Sequence, residues 1–440
     1  MKTYSINKAV SSALAISCGL LLLPSAVLAE ASDVECNSKV VSRDDNPGEY
    51  TPPTGGVGNG EFSAAAASSS TPRVAENTSV ETPYYPETGY PEYYDEFDPC
   101  GATVSESAGT QAQEVAMTIG SKIISQRNMS GKKSNKTAFD YRALGGAAGA
   151  DDADNAMLNG SRFSLFSFAD YSNRDRHATS KSGGYEQEIN SITLGFDYRL
   201  DDATFLGLSL SGSDGDSDLD TQNGGSEVSS TTFGVHGAKY WGDNFVAGLI
   251  AYGALDVDVA RTTVGDSFTA STDGSYWYGD FSLGMEKNYG GLRVTPQARL
   301  LLLSGELDAY RETSASGFGV IRSIDSQDID STTLTLSVQG DYPILQEWGV
   351  LLPSLRVELI ATDGDAYTAN GQNLNDSDKS AISSFANEAD DPDSSTVLVS
   401  WGASAQFSGG FAAYAVYERL FYHDYLNKYT ATVGLRYELP

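Results

Sequence analysis

The stretch Ser191-Ile192-Thr193-Leu194-Gly195-Phe196-Asp197-Tyr198-Arg199-Leu200 decides how this chain reads. Every second residue, Ile192, Leu194, Phe196, Tyr198 and Leu200, is apolar, and those between are small or polar. Side chains alternate across a β-strand, so this pattern gives one apolar face and one wet face. The wet face carries full charges, Asp197 and Arg199. A strand core of protein would bury such charges only at high cost unless each were paired.

The same contrast recurs in both directions. Leu334, Leu336 and Val338 alternate with Thr335, Ser337 and Gln339, and Leu355, Val357 and Leu359 with Arg356 and Glu358. Val397, Val399, Trp401 and Ala403 repeat it, as do Tyr429, Ala431, Val433, Leu435 and Tyr437. About twelve such segments are expected, near 162–171, 187–200, 204–212, 229–241, 245–256, 275–288, 291–306, 331–345, 350–360, 395–407, 411–420 and 427–439. Most reach the roughly 9–11 residues that a tilted strand needs to cross a bilayer.

The connections sort by parity. Asp201-Asp202-Ala203, Gly242-Asp243-Asn244, Tyr289-Gly290, the stretch 346–349 and Ser408-Gly409-Gly410 are tight turns. Between them lie long polar stretches at 172–186, 213–228, 257–274, 307–330 and 361–394, expected as loops, with a short one at 421–426. Short turns on one side and long loops on the other are the plan of an outer-membrane barrel. The expected fold is therefore all-β, a transmembrane antiparallel up-and-down barrel over 161–440. A soluble sandwich or solenoid is the alternative, and it needs a second protein layer against every apolar face.

The N-terminus agrees with export. Lys2 and Lys8 precede an apolar run over 13–27, and Val27-Leu28-Ala29 offers small residues where a signal peptidase cuts. Residues 1–29 are thus expected as a signal peptide. Cys36 and Cys100 remain, and an oxidising compartment favours their pairing over free thiols or intermolecular links. No later segment has the ~18 consecutive apolar residues of a transmembrane helix. The net charge of −31 excludes electrostatic binding of nucleic acid.

Residues 30–108 are expected to be an acidic, largely disordered segment, with Pro52-Pro53, Gly55-Gly56 and Ser68-Ser69-Ser70 unable to build a core. Its Tyr- and Pro-rich part, 81–96, reads as either a recognition segment or an extended spacer. A helix is expected over about 110–128, from Ala112, Ala116, Ile119 and Ile123 at helical spacing, with Lys122 and Arg127 on the same segment. Residues up to 160 form a linker carrying Lys132, Lys133, Lys136 and Arg142.

Catalytic signals are weak. The histidines are His177, His236 and His423. His423-Asp424 resembles the His/Asp pair of outer-membrane proteases, without their second acidic pair. Asp214, Asp216, Asp218 and Asp220 suggest a calcium loop, but Leu219 and Gly225 stand where the turn glycine and the bidentate carboxylate belong. No catalytic residue, metal or cofactor is expected.

In its order of segments the chain resembles the translocator domain of autotransporters, with an exported stretch, a helix and a terminal barrel. Ser191-Ile-Thr-Leu-Gly-Phe-Asp-Tyr-Arg-Leu200 is similar to that family's second strand, and Asp243-Asn244-Phe245 and Val433-Gly434-Leu435-Arg436-Tyr437 are similar to its later ones. The resemblance implies a helix traversing the lumen, beside the small residues Gly195, Gly207, Ser209, Gly284 and Gly402. Lumen charges would be Asp197, Arg199, Glu286, Arg293, Arg299, Asp341, Arg356, Glu358 and Arg436. Lys122, Arg127, Lys132 and Lys133 would pair with Asp197, Glu286, Asp341 and Glu358; the alternative is a helix in solvent. The function implied is anchoring and display of the chain's own short N-terminal segment. Its partners would be outer-membrane lipid and lipopolysaccharide, the barrel-assembly machinery and periplasmic chaperones, with the chain monomeric. A passive porin-like or adhesive barrel with a periplasmic N-terminus is the alternative, and a barrel hydrolase a third reading. Two features depart from the family: the ending Tyr437-Glu438-Leu439-Pro440, and an exported segment too short for a β-helix. Asn128 lacks the neighbouring asparagine of self-cleaving relatives, so cleavage there is not expected.

Overall fold

The structure, a computed structural model, describes residues 103–129 and 162–439, apart from 180, 202, 220–223, 264, 365, 391–393 and 408–409. The readings of the signal peptide, of the segment up to 102, of the Cys36–Cys100 bridge and of the linker fall outside the described residues.

The alternating segments are strands. In chain order they are β1 (Phe163–Arg176), β2 (Tyr185–Arg199), β3 (Thr204–Leu219), β4 (Gly224–Trp241), β5 (Asn244–Thr263) and β6 (Asp266–Met285). There follow the short β7 (Lys287–Tyr289), β8 (Leu292–Leu307), and the small β9 (Tyr310–Arg311), β10 (Thr313–Ser314) and β11 (Val320–Ile324). Then come β12 (Gln327–Asp341), β13 (Ile344–Gln346), β14 (Gly349–Gly364), β15 (Thr368–Asn375) and β16 (Ala381–Glu388). The chain finishes with β17 (Ser394–Phe407), β18 (Phe411–Phe421) and β19 (Leu426–Glu438). Long strands pair antiparallel in the order β6-β5-β4-β3-β2-β1-β19-β18-β17-β14-β12-β8, and β8 returns to β6. The result is a closed barrel of 12 strands. Closure leaves no strand edge in the hydrocarbon, which the absence of water there demands.

The seam between β1 and β19 runs in continuous register from Ser164↔Glu438 to Arg176↔Leu426. The Leu439 N–H extends it by donating to the Phe163 carbonyl at 2.9 Å. Gly242 and Gly290 supply the positive φ angles, 57° and 63°, that turn the chain tightly at the short-loop end.

The apolar faces point outward. Ile250 is 62% exposed, Val433 61%, and Ile192, Leu194, Leu210, Phe233, Leu336 and Leu359 about as much, on strands all round the barrel. An apolar belt of that extent has no place in water; lipid covers it. The wet faces point inward, and several lumen glycines lie directly opposite an aromatic residue on the next strand. Phe166 lies over Gly195, Phe245 over Gly284, Tyr276 over Gly253 and Tyr414 over Gly434. A Cβ at Gly195 would run into the Phe166 ring. Gly195, Gly207 and Gly284 thus make room for neighbouring wall side chains, not for a helix; at Gly207 the occupant is His236.

Several expected loops turn out to be strands. β5 and β6 have 20 residues each and rise about 66 Å along the chain, well past the hydrocarbon. Inside–outside alternation continues through 213–219 with Ser213, Gly215 and Ser217 buried and Asp214, Asp216 and Asp218 exposed. Both classes are polar, so hydropathy cannot see the period. Segments 307–330 and 361–394 build a separate four-stranded sheet, β16-β15-β11-β9, at the long-loop end.

Candidate functional site: the lumen and its helix

Among the described residues one helix, α1 (Thr103–Met129), fills much of the barrel. It begins earlier than the apolar spacing suggests, because Val104 and Ala108 continue the buried stripe of Ala112, Val115, Ala116, Ile119 and Ile123. At 1.5 Å per residue its 27 residues span about 40 Å. The neighbouring residues Glu106, Ser107 and Gly109 look like loop in sequence, but they are what a polar lumen accepts.

The wall holds α1 by its polar groups. Gln111 donates to Ser213 Oγ at 3.1 Å and to the Val228 carbonyl at 2.8 Å, and Ser107 bonds Ser217 at 2.7 Å. Gly215 leaves room for Gln111; a Cβ there would collide with Gln111 Oε1. Halfway down, Arg299 donates Nε–H to Asp280 at 2.7 Å and Nη2–H to the Met117 carbonyl at 2.8 Å. This close approach exists because residue 120 is glycine: a Cβ would overlap Asp280 Oδ2. Glu114 is paired with Arg174 at 2.8 Å and also with Lys428. Lys122 reaches Glu418 at 2.8 Å, which also accepts from Ser400.

The ion pairs differ from those expected for α1. Asp197 takes His236 Nε2 and Arg436 Nη2, each at 2.7 Å; Asp341 takes Arg293 at 3.1 Å; Glu358 takes Arg356. These wall carboxylates answer wall cations on the same or nearby strands, where register holds directly opposed residues about 5 Å apart. The helix lysine Lys122 goes to Glu418 instead. Arg199 sits nearer the rim, paired with Glu438 at 3.4 Å, and Glu286 is half-buried where β6 ends. The side chain of Arg127 and residues Lys132 and Lys133 lie outside the described residues. Sequence reading missed Glu106, Glu114, Arg174, Arg176 and Lys428, although Arg174 and Arg176 keep the period of two beyond Asp170 and Ser172.

The outer end of the lumen is fastened by Arg176. It meets Glu106 of α1 at 2.5 Å and Asp390 at 2.7 Å, donates to the Gly183 carbonyl at 3.0 Å, and lies 4.7 Å from the Tyr425 ring centre. Tyr367 closes over Gly109, where a Cβ would meet the ring at 2.5 Å. His423 stands in the short outer loop before β19. Burial, with Arg174 and Arg176 nearby, pushes its pKa down to about 4, and its ring stands edge-on to Tyr425. His236 pairs with Asp197, and the two are buried in the lumen wall. Among the described residues no cluster of His, Cys, Asp and Glu is arranged to hold a metal ion.

A lumen helix bound by charged walls inside a closed 12-strand barrel can be compared with known proteins. The family model "Autotransporter beta-domain" matches residues 165–418. The chain belongs to that family. The autotransporter barrel is similar in fold to the translocator domain of the autotransporter NalP from Neisseria meningitidis, with 14% identity and a TM-score of 0.52 over 77% of this chain and 99% of that one. The beta domain of the Bordetella autotransporter Brka gives 17% identity and a TM-score of 0.48 over 63% of this chain and 100% of that one. The transport unit of AIDA-I from Escherichia coli gives 12% and 0.45, over 66% and 97%. No curated protein matches the chain. The autotransporter barrel is an outer-membrane anchor for a surface-displayed segment, and the family's barrel domain is not itself an enzyme.

Proposed function

We propose that the barrel anchors this chain in the outer membrane and displays its own residues 30–102 at the cell surface, with α1 as the tether through the lumen. The observation that carries this reading is the direction of α1. Its first turns meet Arg176 and Tyr367 at the long-loop end, while Lys122 lies deeper. Long loops face outward in such barrels, and an even strand number leaves both barrel termini periplasmic. A chain entering from the periplasm and climbing the lumen would leave it outside, at Thr103. A passive porin with a periplasmic N-terminus would need the opposite helix direction.

The segment displayed is shorter than composition suggests, since 103–108 belong to α1. Insertion follows the general route of the family through the barrel-assembly machinery, and periplasmic chaperones would carry the unfolded chain there. Lipopolysaccharide would border the outer half. An epitope inserted near Tyr90 tests the reading. Protease added to intact cells should remove it. Protection that persists until the outer membrane is permeabilised would refute display.

A further inference from the structure

The helix does not fill the lumen evenly. Its Gly, Ala and Val stripe packs against the side formed by β2–β6, β8 and β12. A cavity of about 110 Å³ remains beside it in the outer half. The half-buried helix residues Thr110, Gln113 and Met117 face this space, one turn apart. Opposite them stand Ile360, Leu398, Leu420 and Leu426.

The remaining wall is charged and aromatic: Arg174, Arg176 and Lys428 stand with the carboxylates of Glu106 and Asp390 and the rings of Tyr185, Tyr367 and Tyr425. Arg174 gives one N–H to Glu114, yet its Nε has no hydrogen-bond acceptor, although the side chain is only 6% exposed. A buried guanidinium N–H left unpaired is costly, and a carboxylate oxygen would satisfy it. Half-exposed Asp390, His423 and Tyr425 line the side nearest the outer loops and give an entrance.

We propose that this cavity is a binding site for a small amphipathic carboxylate entering from outside. Its carboxylate accepts the unpaired N–H of Arg174 Nε, and its short alkyl tail lies on Leu398, Leu420 and Ile360. A cavity of about 150 Å³ holds benzene, so the space fits a carboxylate with a tail of about three carbons. Neither anchoring nor display requires such a site.

Carbon-13-labelled butyrate, titrated into the folded full-length protein in detergent, tests it by line broadening. Butanol and inorganic phosphate serve as matched probes lacking the charge and the tail. Butyrate should broaden saturably, and both other probes much less. Arg174→Gln should weaken butyrate binding about tenfold, the effect of losing one charge-assisted hydrogen bond. Leu398→Trp, which fills the tail space without touching an ion pair, should abolish it. Heat-modifiable migration identifies the folded variants, and Leu398→Trp decides the matter if Arg174→Gln misfolds. Absence of saturable broadening in the parent protein, equal binding of phosphate, or undiminished butyrate binding in folded Leu398→Trp would overturn the proposal.

Discussion

At the scale of single residues, Gly120 separates two opposed expectations. In a helix interior, glycine to alanine ordinarily gains about 1 kcal/mol from propensity. Here the added Cβ would strike Asp280, which is fully buried and held by Arg299. Asp280 cannot yield without breaking that pair, so overpacking of about 1–3 kcal/mol should prevail. Gly120→Ala should lower the temperature of the heat-modifiable transition and raise single-channel conductance in planar bilayers. A more stable variant with unchanged conductance would show that propensity governs. Asp266 provides a pH test outside the membrane. Its carboxylate accepts from Ser314 and Ser316 hydroxyls at 2.6 and 2.7 Å and from the Ser316 and Ser267 amides. These hydrogen bonds, first that of Ser314, hold its pKa at about 2, below the ordinary 3.8. A depressed carboxylate contributes stability above its unfolded pKa and loses it as pH falls through the folded value. The protection of the β9–β11 segment against hydrogen exchange, taken relative to the intrinsic rate at each pH, should therefore fall between about pH 4 and pH 2, and Asp266→Asn should remove that step.

At the scale of elements, the membrane-spanning parts of the strands are legible in the sequence because lipid and water impose opposite chemistries on alternate residues. Leu194 against Asp197, or Val357 against Glu358, needs no structure to interpret. Beyond the membrane that contrast disappears. Ser213 faces a helix glutamine and Asp214 faces solvent, so strand and loop look alike by hydropathy. The ion pairs are equally hidden, because partners such as Glu114 and Lys428 stand far apart in sequence and meet only through barrel closure. Helix α1 is the element whose loss should matter most to the pore. Removing 103–129 takes away the buried stripe and every tie from Ser107 to Lys122, so conductance should rise severalfold while the barrel still migrates as a folded species. An unchanged conductance would mean that the wall alone closes the lumen. Arg176 couples α1 to the outer segments. Truncating a buried ion-pair partner costs about 3–5 kcal/mol, and Arg176→Gln strands both Glu106 and Asp390. Limited proteolysis near residue 390 should become faster, with the strand core intact.

At the scale of the whole molecule, the same closure that serves the hydrocarbon creates a repulsive belt outside it. Glu188, Asp216, Glu227 and Asp258 stand side by side across β2, β3, β4 and β5 on the outward face. Like charges directly opposite in a sheet cost roughly 0.2–1 kcal/mol per pair, and the chain as a whole carries −31. The hydrogen-bond ladder and the buried helix hold these outer hairpins together against that repulsion. Salt should therefore stabilise the folded barrel in detergent. The Debye length falls from about 30 Å at 0.01 M to about 3 Å at 1 M, which leaves the buried lumen pairs little changed but screens the exposed row. The heat-modifiable transition should move upward with sodium chloride, and Asp216→Asn, which relieves two neighbours at once, should raise it at low salt and reduce its salt dependence. A transition that falls with added salt would mean that attraction between exposed charges, not repulsion along this row, governs the salt response of the barrel.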